Sequence, residues 1–173
     1  MMTIARIASR LIYDAGTGLF TWARREETDR YAKSWNGRWA GKSAGTINYL
    51  GYVYLHMEGH DILAHRAAWA VHYGRLPEGQ IDHINGDPSD NRIENLREAT
   101  QSQNNANQGL KVTNTSGHRG VTWNKRRRKW QAQIQLDKRH RVIGHFDSLE
   151  DASIAYQSAA IQAFGEFYRV VSP

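Results

Sequence analysis

Apolar and polar positions follow two different patterns along the first hundred residues. In residues 4–12 and 64–73 the apolar positions recur every three or four residues, which predicts two helices. In residues 19–22 and 52–56 short apolar runs border turn-forming residues, which predicts strands. The presence of both helical and strand patterns predicts an α+β unit.

A strand–turn–strand–helix pattern comes next. Strands are predicted at residues 81–84 and 96–99, and the Asn-Gly-Asp-Pro sequence at residues 85–88 is a strong turn signal. Thr100 is followed three residues later by Gln103, which together form a capping box, so a helix is predicted to begin there.

The last third of the chain has its own pattern. Polar residues 109–116 lack apolar periodicity, which is typical of a linker. Strands are predicted at residues 120–123, 130–136 and 141–146, and a helix after Ser148 offers an alanine-rich stripe to the sheet. The predicted domains are residues 1–108 and 117–173, joined by the linker at 109–116.

The charge is concentrated in the second predicted domain. The 173 residues carry a formal net charge of +6. Residues 117–145 contain nine Lys or Arg and one acid, so this window carries +8 and the rest of the chain −2. Such a field suits a polyanion, and nucleic acid is the commonest one in a cytosol. The alternative is a solvated basic face without a function.

Composition excludes several classes of protein. The chain has no cysteine, so disulfides and thiolate zinc sites are excluded. No apolar run approaches the ~20 residues of a membrane span, and residues 1–10 lack the apolar core of a signal peptide. A cytoplasmic protein without a membrane partner is therefore expected.

The predicted strand–turn–strand–helix segment also holds the densest set of reactive side chains. Asp82 and His83 lie at a strand end beside the turn, and Asn104 lies near the first turn of the following helix. Carboxylate and amide oxygens suit Mg²⁺ or Mn²⁺. A histidine is a suitable general base near neutral pH. These are the parts that metal-assisted phosphodiester hydrolysis requires.

The pattern of Asp82, His83, Asn95 and Asn104 resembles the HNH endonuclease motif in its cysteine-free, phage and homing-type form. The resemblance covers residues 12–107 and implies a ββα-metal finger. It implies that His83 deprotonates water and that Asp82 and Asn104 hold one divalent metal, Mg²⁺ or Mn²⁺ and not zinc, at the leaving 3′ oxygen. It further implies that Asn95 ties the two strands together and keeps His83 oriented, and that the products carry 5′-phosphate and 3′-hydroxyl ends. Asn105 is the alternative ligand if the helix starts one residue later.

Residues 116–167 resemble the DNA-binding domain of plant ethylene-response (Apetala-type) factors, through Arg119-Gly120-Val121-Thr122-Trp123 and the strands and helix that follow. That fold is a three-stranded antiparallel sheet packed on one helix, with its exposed face in the DNA major groove. The resemblance implies sheet-face contacts, whereas the basic turn is expected to contact phosphates through charge. The predicted DNA-binding residues are Arg119, Thr122, Asn124, Arg126, Arg127, Arg128, Lys129, Gln133, Gln135 and Arg141.

The sequence therefore predicts an α+β endonuclease that acts on double-stranded DNA, with an appended DNA-reading module. It would work in the cytoplasm, that of a bacterial host if the gene is phage-encoded, as a monomer or a dimer. A non-cleaving DNA-binding regulator is the alternative, and an RNA-binding protein is disfavoured. His65 is interpreted as a structural histidine bonded to backbone, and Trp22, Trp35, Trp39 and Trp69 as core or cover.

Overall fold

The computed structural model describes residues 3–26, 31–136 and 139–170. The chain divides into two compact units, Met1–Glu98 and Ala99–Pro173. This division falls before the helix that follows Thr100, whereas the sequence predicts a boundary after that helix, at residue 108. Each unit combines helices with antiparallel strands, in several small sheets in the first unit and in one sheet in the second.

The elements of the N-terminal unit are, in chain order, α1 (Ile4–Arg10), β1 (Leu11–Tyr13), β2 (Phe20–Trp22), α2 (Ala32–Trp39), β3 (Ser43–Ala44), β4 (Thr46–Ile47), β5 (Val53–Met57), β6 (His60–Leu63), α3 (Ala64–Tyr73), β7 (Gln80–His83), a 3₁₀ turn (Ile93–Asn95) and β8 (Leu96–Ala99). The strands form two three-stranded sheets, with strand orders β1-β2-β3 and β4-β5-β6, and a two-stranded sheet of β7 and β8. Helix α3 packs against β5 and β6.

Helix α3 forms the centre of this unit's core. Its helical spacing places Ala64, Ala67 and Ala68 on a buried face against Leu55 of β5. Small side chains allow close approach of the helix to the strand. The helix ends where Gly74 adopts a left-handed φ of +67°, a conformation that costs glycine little.

Two local predictions were wrong in this unit. The predicted helix over residues 4–12 ends at Arg10, because Leu11 and the next two residues pair with β2 instead. Residues 26–42 are polar, which predicts an irregular stretch, but residues Ala32–Trp39 form helix α2. Tertiary contact accounts for α2, since its Asn36 is 7% exposed and bonds the backbone of Arg25.

The C-terminal unit follows its predicted pattern more closely. Its elements are α4 (Gln101–Asn107), β9 (Val121–Asn124), β10 (Lys129–Leu136), β11 (Arg139–Phe146), α5 (Leu149–Phe164) and a 3₁₀ turn (Gly165–Phe167). Helix α4 begins with the predicted capping box, in which Thr100 accepts from the Gln103 backbone N–H and Gln103 accepts from that of Thr100.

The three strands of this unit form one antiparallel sheet in the order β11-β10-β9, and α5 packs on one of its faces. Val121, Ala132 and Ile134 of the sheet meet Ala152 and Ala160 of α5 in a buried core. Among the described residues, no helix is both long and apolar enough to cross a membrane.

Candidate active site and nucleic-acid interface

Asp82 and His83 lie together at the end of β7, and both are buried, with 3% and 5% of their surfaces exposed. The backbone N–H of Ile84 donates to the carbonyl of Asn95 at 2.9 Å, so the two strands remain joined where β7 ends. The sequence therefore correctly placed this pair at a strand end beside a turn.

The Asp82 carboxylate is held by an arginine to which the sequence assigned no role. Nε and Nη2 of Arg97, on β8, both lie 2.9 Å from Asp82 Oδ2. The side chains of Arg97 and Asp82 are 12% and 4% exposed, so this ion pair forms in a poorly hydrated environment. Such a pair fixes the orientation of the carboxylate and balances its buried charge.

The imidazole of His83 is oriented by Asn91. The amide nitrogen of Asn91 donates to the carbonyl of Ser89 at 3.1 Å, which turns its Oδ1 toward the ring, 3.3 Å from His83 Nε2. An amide oxygen can only accept, so Nε2 carries the ring proton and Nδ1 is the basic nitrogen. Burial lowers the pKa of His83, so the ring is neutral at neutral pH.

Asn95 organises the loop between β7 and β8. Its Nδ2 donates to Asn85 Oδ1 at 3.0 Å and to the Asp90 carbonyl at 2.8 Å, while its Oδ1 accepts from the Asn85 backbone N–H at 2.9 Å. These contacts close the loop that follows His83. The resemblance implies that Asn95 keeps His83 oriented, which stays a prediction, and the structure adds a contact between Asn91 Oδ1 and the imidazole.

A second histidine borders the candidate base. The ring of His65 on α3 lies perpendicular to that of His83, at 88° and 5.1 Å between centroids, and Tyr52 lies within 6.0 Å of both. Burial lowers the pKa of His65 to about 3, with further lowering by the charges of His83 and Arg66. His65 therefore stays neutral and packs beside His83 without adding charge.

Strand β1 and the loop that follows it contact the backbone around Asn91. Tyr13 donates its hydroxyl proton to the Asn91 carbonyl at 2.8 Å, and the Ile93 N–H donates to the Ala15 carbonyl at 3.1 Å. Gly18 has a φ of +73°, and a Cβ added to it would lie 2.4 Å from the Arg92 nitrogen and 2.5 Å from the Asn91 carbonyl carbon. The chain therefore passes closer to the Asn91 backbone than any side chain permits.

The other proposed metal ligand lies on α4, in the C-terminal unit. Asn104 is half-buried and Asn105 is exposed, and Asn105 Oδ1 accepts from Gln101 at 2.9 Å. The choice between Asn104 and Asn105 stays a prediction. Within the described ranges, no group of three or more His, Asp or Glu side chains is placed to hold a metal ion.

The polar face of the C-terminal sheet carries a connected set of amides. Gln131 lies at its centre, because its Oε1 accepts from Asn124 at 3.0 Å and contacts His145 Nε2 at 3.2 Å, and its Nε2 donates to Gln133 at 3.0 Å. Thr122 lies directly opposite Gln131 in the register. Gln131 and His145, which were not among the residues predicted from the sequence, therefore belong with the predicted DNA-facing residues Thr122, Asn124 and Gln133.

Arg141 lies on the other face of this sheet. A register shift between Ala132 and Gln133 places Gln133 opposite Val142 and Ile134 opposite Arg141. Directly paired residues share a face, so Arg141 is on the side of Ile134, which packs toward α5. The bulge, which the sequence does not reveal, separates Arg141 from Gln133 and Gln135.

The remaining basic residues differ in their surroundings. Arg126, Arg127 and Arg128 are exposed in the turn between β9 and β10, where Asn124 Oδ1 accepts from the Arg127 N–H at 3.0 Å. Lys129 forms an ion pair with Asp147 at 3.1 Å. Arg119 donates from Nη1 to the Ala106 carbonyl at the end of α4. The turn arginines are thus more accessible to a polyanion than Arg119.

Comparisons with known proteins agree with the motif. A model of the HNH endonuclease family matches residues 63–106, from the start of α3 into α4. Protein 3.8 of Escherichia phage T7 is 31% identical over 106 residues, which span 61% of this chain and 87% of that protein. No solved structure matches the chain significantly.

Proposed function

Because the chain belongs to the HNH endonuclease family, we propose that it is a metal-dependent DNA endonuclease in which His83 activates the attacking water. One observation carries this proposal: a buried, neutral imidazole is oriented by Asn91 next to a buried carboxylate, Asp82. A neutral imidazole can accept a proton, which a charged one cannot.

The proton is received at Nδ1 of His83. The Nε2–H of His83 keeps donating to Asn91 Oδ1, and this hydrogen bond strengthens when the ring becomes an imidazolium. The neighbouring Asp82 carboxylate also favours the charged ring. His65 remains neutral and does not oppose that charge. The residues around His83 thus favour a single proton transfer in a defined direction.

HNH nucleases generally use a divalent metal, and the Asp82 carboxylate, which Arg97 holds in a fixed orientation, has the chemistry to bind one. Asn104 stays the predicted source of an amide oxygen, with Asn105 as the alternative. A protein with one carboxylate ligand suits Mg²⁺ or Mn²⁺, which retain waters and take phosphate oxygens. When bound, the ion supplies positive charge at the leaving 3′ oxygen.

We further propose that the C-terminal unit holds double-stranded DNA, in the manner of the ethylene-response-type domain that it resembles. The exposed arginines of the β9–β10 turn support phosphate contacts, and the polar face around Gln131 supports contact with base edges. A single HNH site cuts one strand, so double-strand cleavage requires a dimer or two successive nicks.

The proposal is tested with supercoiled plasmid. With Mg²⁺ or Mn²⁺ the protein is expected to convert plasmid to nicked and then linear forms, and excess chelator is expected to stop the conversion, because the charge at the leaving oxygen is lost. Plasmid that is bound but left intact over several metals and target sequences would instead favour the alternative, a non-cleaving DNA-binding regulator.

The phosphate contacts of the turn are tested by salt dependence. Replacing Arg126 and Arg128 together with alanine is expected to reduce the slope of log affinity against log salt by about 2, because each lost phosphate contact removes ~0.9. Fluorescence anisotropy with labelled duplex measures this slope. The matched double lysine variant keeps the charge and should keep the slope, and an unchanged slope in the alanine variant would remove both arginines from the interface.

A further inference from the structure

The N-terminal unit contains a cavity away from Asp82 and His83. It has a volume of about 230 Å³ and is lined by Trp22, Trp35 and Trp39, with Arg10 and Arg25 among the remaining residues. This volume lies below the ~300 Å³ at which pockets for drug-sized molecules begin, and it suits a single heterocycle. On the sequence alone these three tryptophans are interpreted as core or cover.

Flat π surfaces dominate the lining. Trp22 and Trp35 meet edge to face, at 87° and 5.8 Å between ring centroids. The Arg25 guanidinium lies 3.9 Å from the centre of the Trp35 ring. Indoles and guanidinium planes are the surfaces on which proteins stack unpaired bases.

The cavity wall is held in place by buried polar contacts. Asn36 of α2 accepts from the Arg25 N–H at 2.8 Å and donates to the Arg25 carbonyl at 2.9 Å, and it is 7% exposed. This reciprocal pair fixes the backbone of Arg25 to the helix that carries Trp35 and Trp39. The aromatic surfaces are therefore preorganised.

The charge around the cavity selects among aromatic ligands. Glu58 lines it too, but its carboxylate is bound by Arg6 at 2.6 Å and lies 3.5 Å from Arg10. Arg10 Nε, the atom that forms this ion pair with Glu58, is buried and, within the described chain, makes no hydrogen bond. Two lining arginines, Arg10 and Arg25, against one lining carboxylate disfavour a cationic ligand, such as a quaternary ammonium, and favour an aromatic ring attached to an anion.

We propose that this cavity binds one unstacked nucleobase of the DNA substrate, with an adjacent phosphate facing Arg10. A nucleotide has both properties that the lining favours, a flat heterocycle and a negative charge. The inference rests on the proposed function for the source of the base. It predicts that the protein prefers DNA with an unpaired nucleotide over fully paired duplex.

The test compares two short duplexes, one fully paired and one with a single unpaired 2-aminopurine, by anisotropy in chelator so that neither is cut. The parent protein is expected to bind the unpaired duplex about tenfold more tightly, and Trp39→Ala is expected to abolish that preference. Trp39 is 43% exposed, so its replacement is compatible with folding. Trp39→Phe should retain most of the preference, and Tyr49→Ala, at a 94% exposed aromatic outside the cavity, should leave it unchanged.

Equal affinity of the parent for both duplexes would overturn the inference, as would a preference that survives in Trp39→Ala. Plasmid cleavage distinguishes this failure from failure of the proposed function. If the protein nicks plasmid but shows no preference, the nuclease proposal stands and the base pocket is refuted. If it shows a Trp39-dependent preference but never nicks plasmid, the base pocket stands and the nuclease proposal is refuted.

Discussion

Replacing His83 with alanine is expected to lower the rate of DNA cleavage by about 10²- to 10⁴-fold, the usual contribution of a positioned general base. The variant removes the Nδ1 acceptor that the Asn91 contact leaves basic. DNA affinity should change little, because the turn arginines that would hold phosphate remain. Single-turnover nicking of plasmid at saturating protein measures the rate separately from binding.

The matched control is His72→Ala, which removes an exposed histidine from α3. This control should cut at the parent rate. If His83→Ala cut as fast as the parent, His83 would not be the base, even if the protein remained a nuclease. A loss of affinity equal to the loss of rate would show instead that His83 acts in binding.

Replacing Gly18 with alanine is expected to destabilise the protein by about 2–5 kcal/mol. The left-handed backbone costs a residue with a Cβ about 1–2 kcal/mol, and overpacking costs about 1–3 kcal/mol. The added Cβ would lie 2.4 Å and 2.5 Å from backbone atoms of Arg92 and Asn91, which cannot rotate away as a side chain would. Urea unfolding measures the change, and the cleavage rate of the folded fraction should also fall, because Asn91 orients His83.

Gly59→Ala is the control for this effect. Gly59 also has a positive φ, +80°, but a Cβ added there would meet nothing within 4 Å. It should therefore show the cost of backbone strain alone. If Gly18→Ala and Gly59→Ala were equally destabilising, the close approach to Asn91 would contribute nothing to the stability of the site.

Elements with strong local signals could be predicted from the sequence. The capping box at Thr100 and the helical spacing that ends at Gly74 determine their helices through neighbouring residues, and both helices form as predicted. The placement of Asp82 and His83 at a strand end beside a turn was equally local, since it followed from the Asn-Gly-Asp-Pro turn.

The features that the sequence did not predict depend on contacts between distant segments. Asn91 contacts His83 because Tyr13 and Gly18 position its backbone from far along the chain. His65 meets His83 only when α3 packs beside β7. Arg141 changes face because of one bulge in the pairing of β10 with β11. No local pattern of residues encodes these three arrangements.

The chemistry of the cut ends is the sharpest test of whether this protein hydrolyses DNA through His83. If His83 directs water at the phosphorus and the 3′ oxygen leaves, nicked plasmid carries 5′-phosphate and 3′-hydroxyl ends, and DNA ligase alone should reseal it. Nicks that ligase cannot seal without prior end repair would contradict this account of the reaction. A plasmid that is never nicked, in any divalent metal, would contradict the nuclease itself.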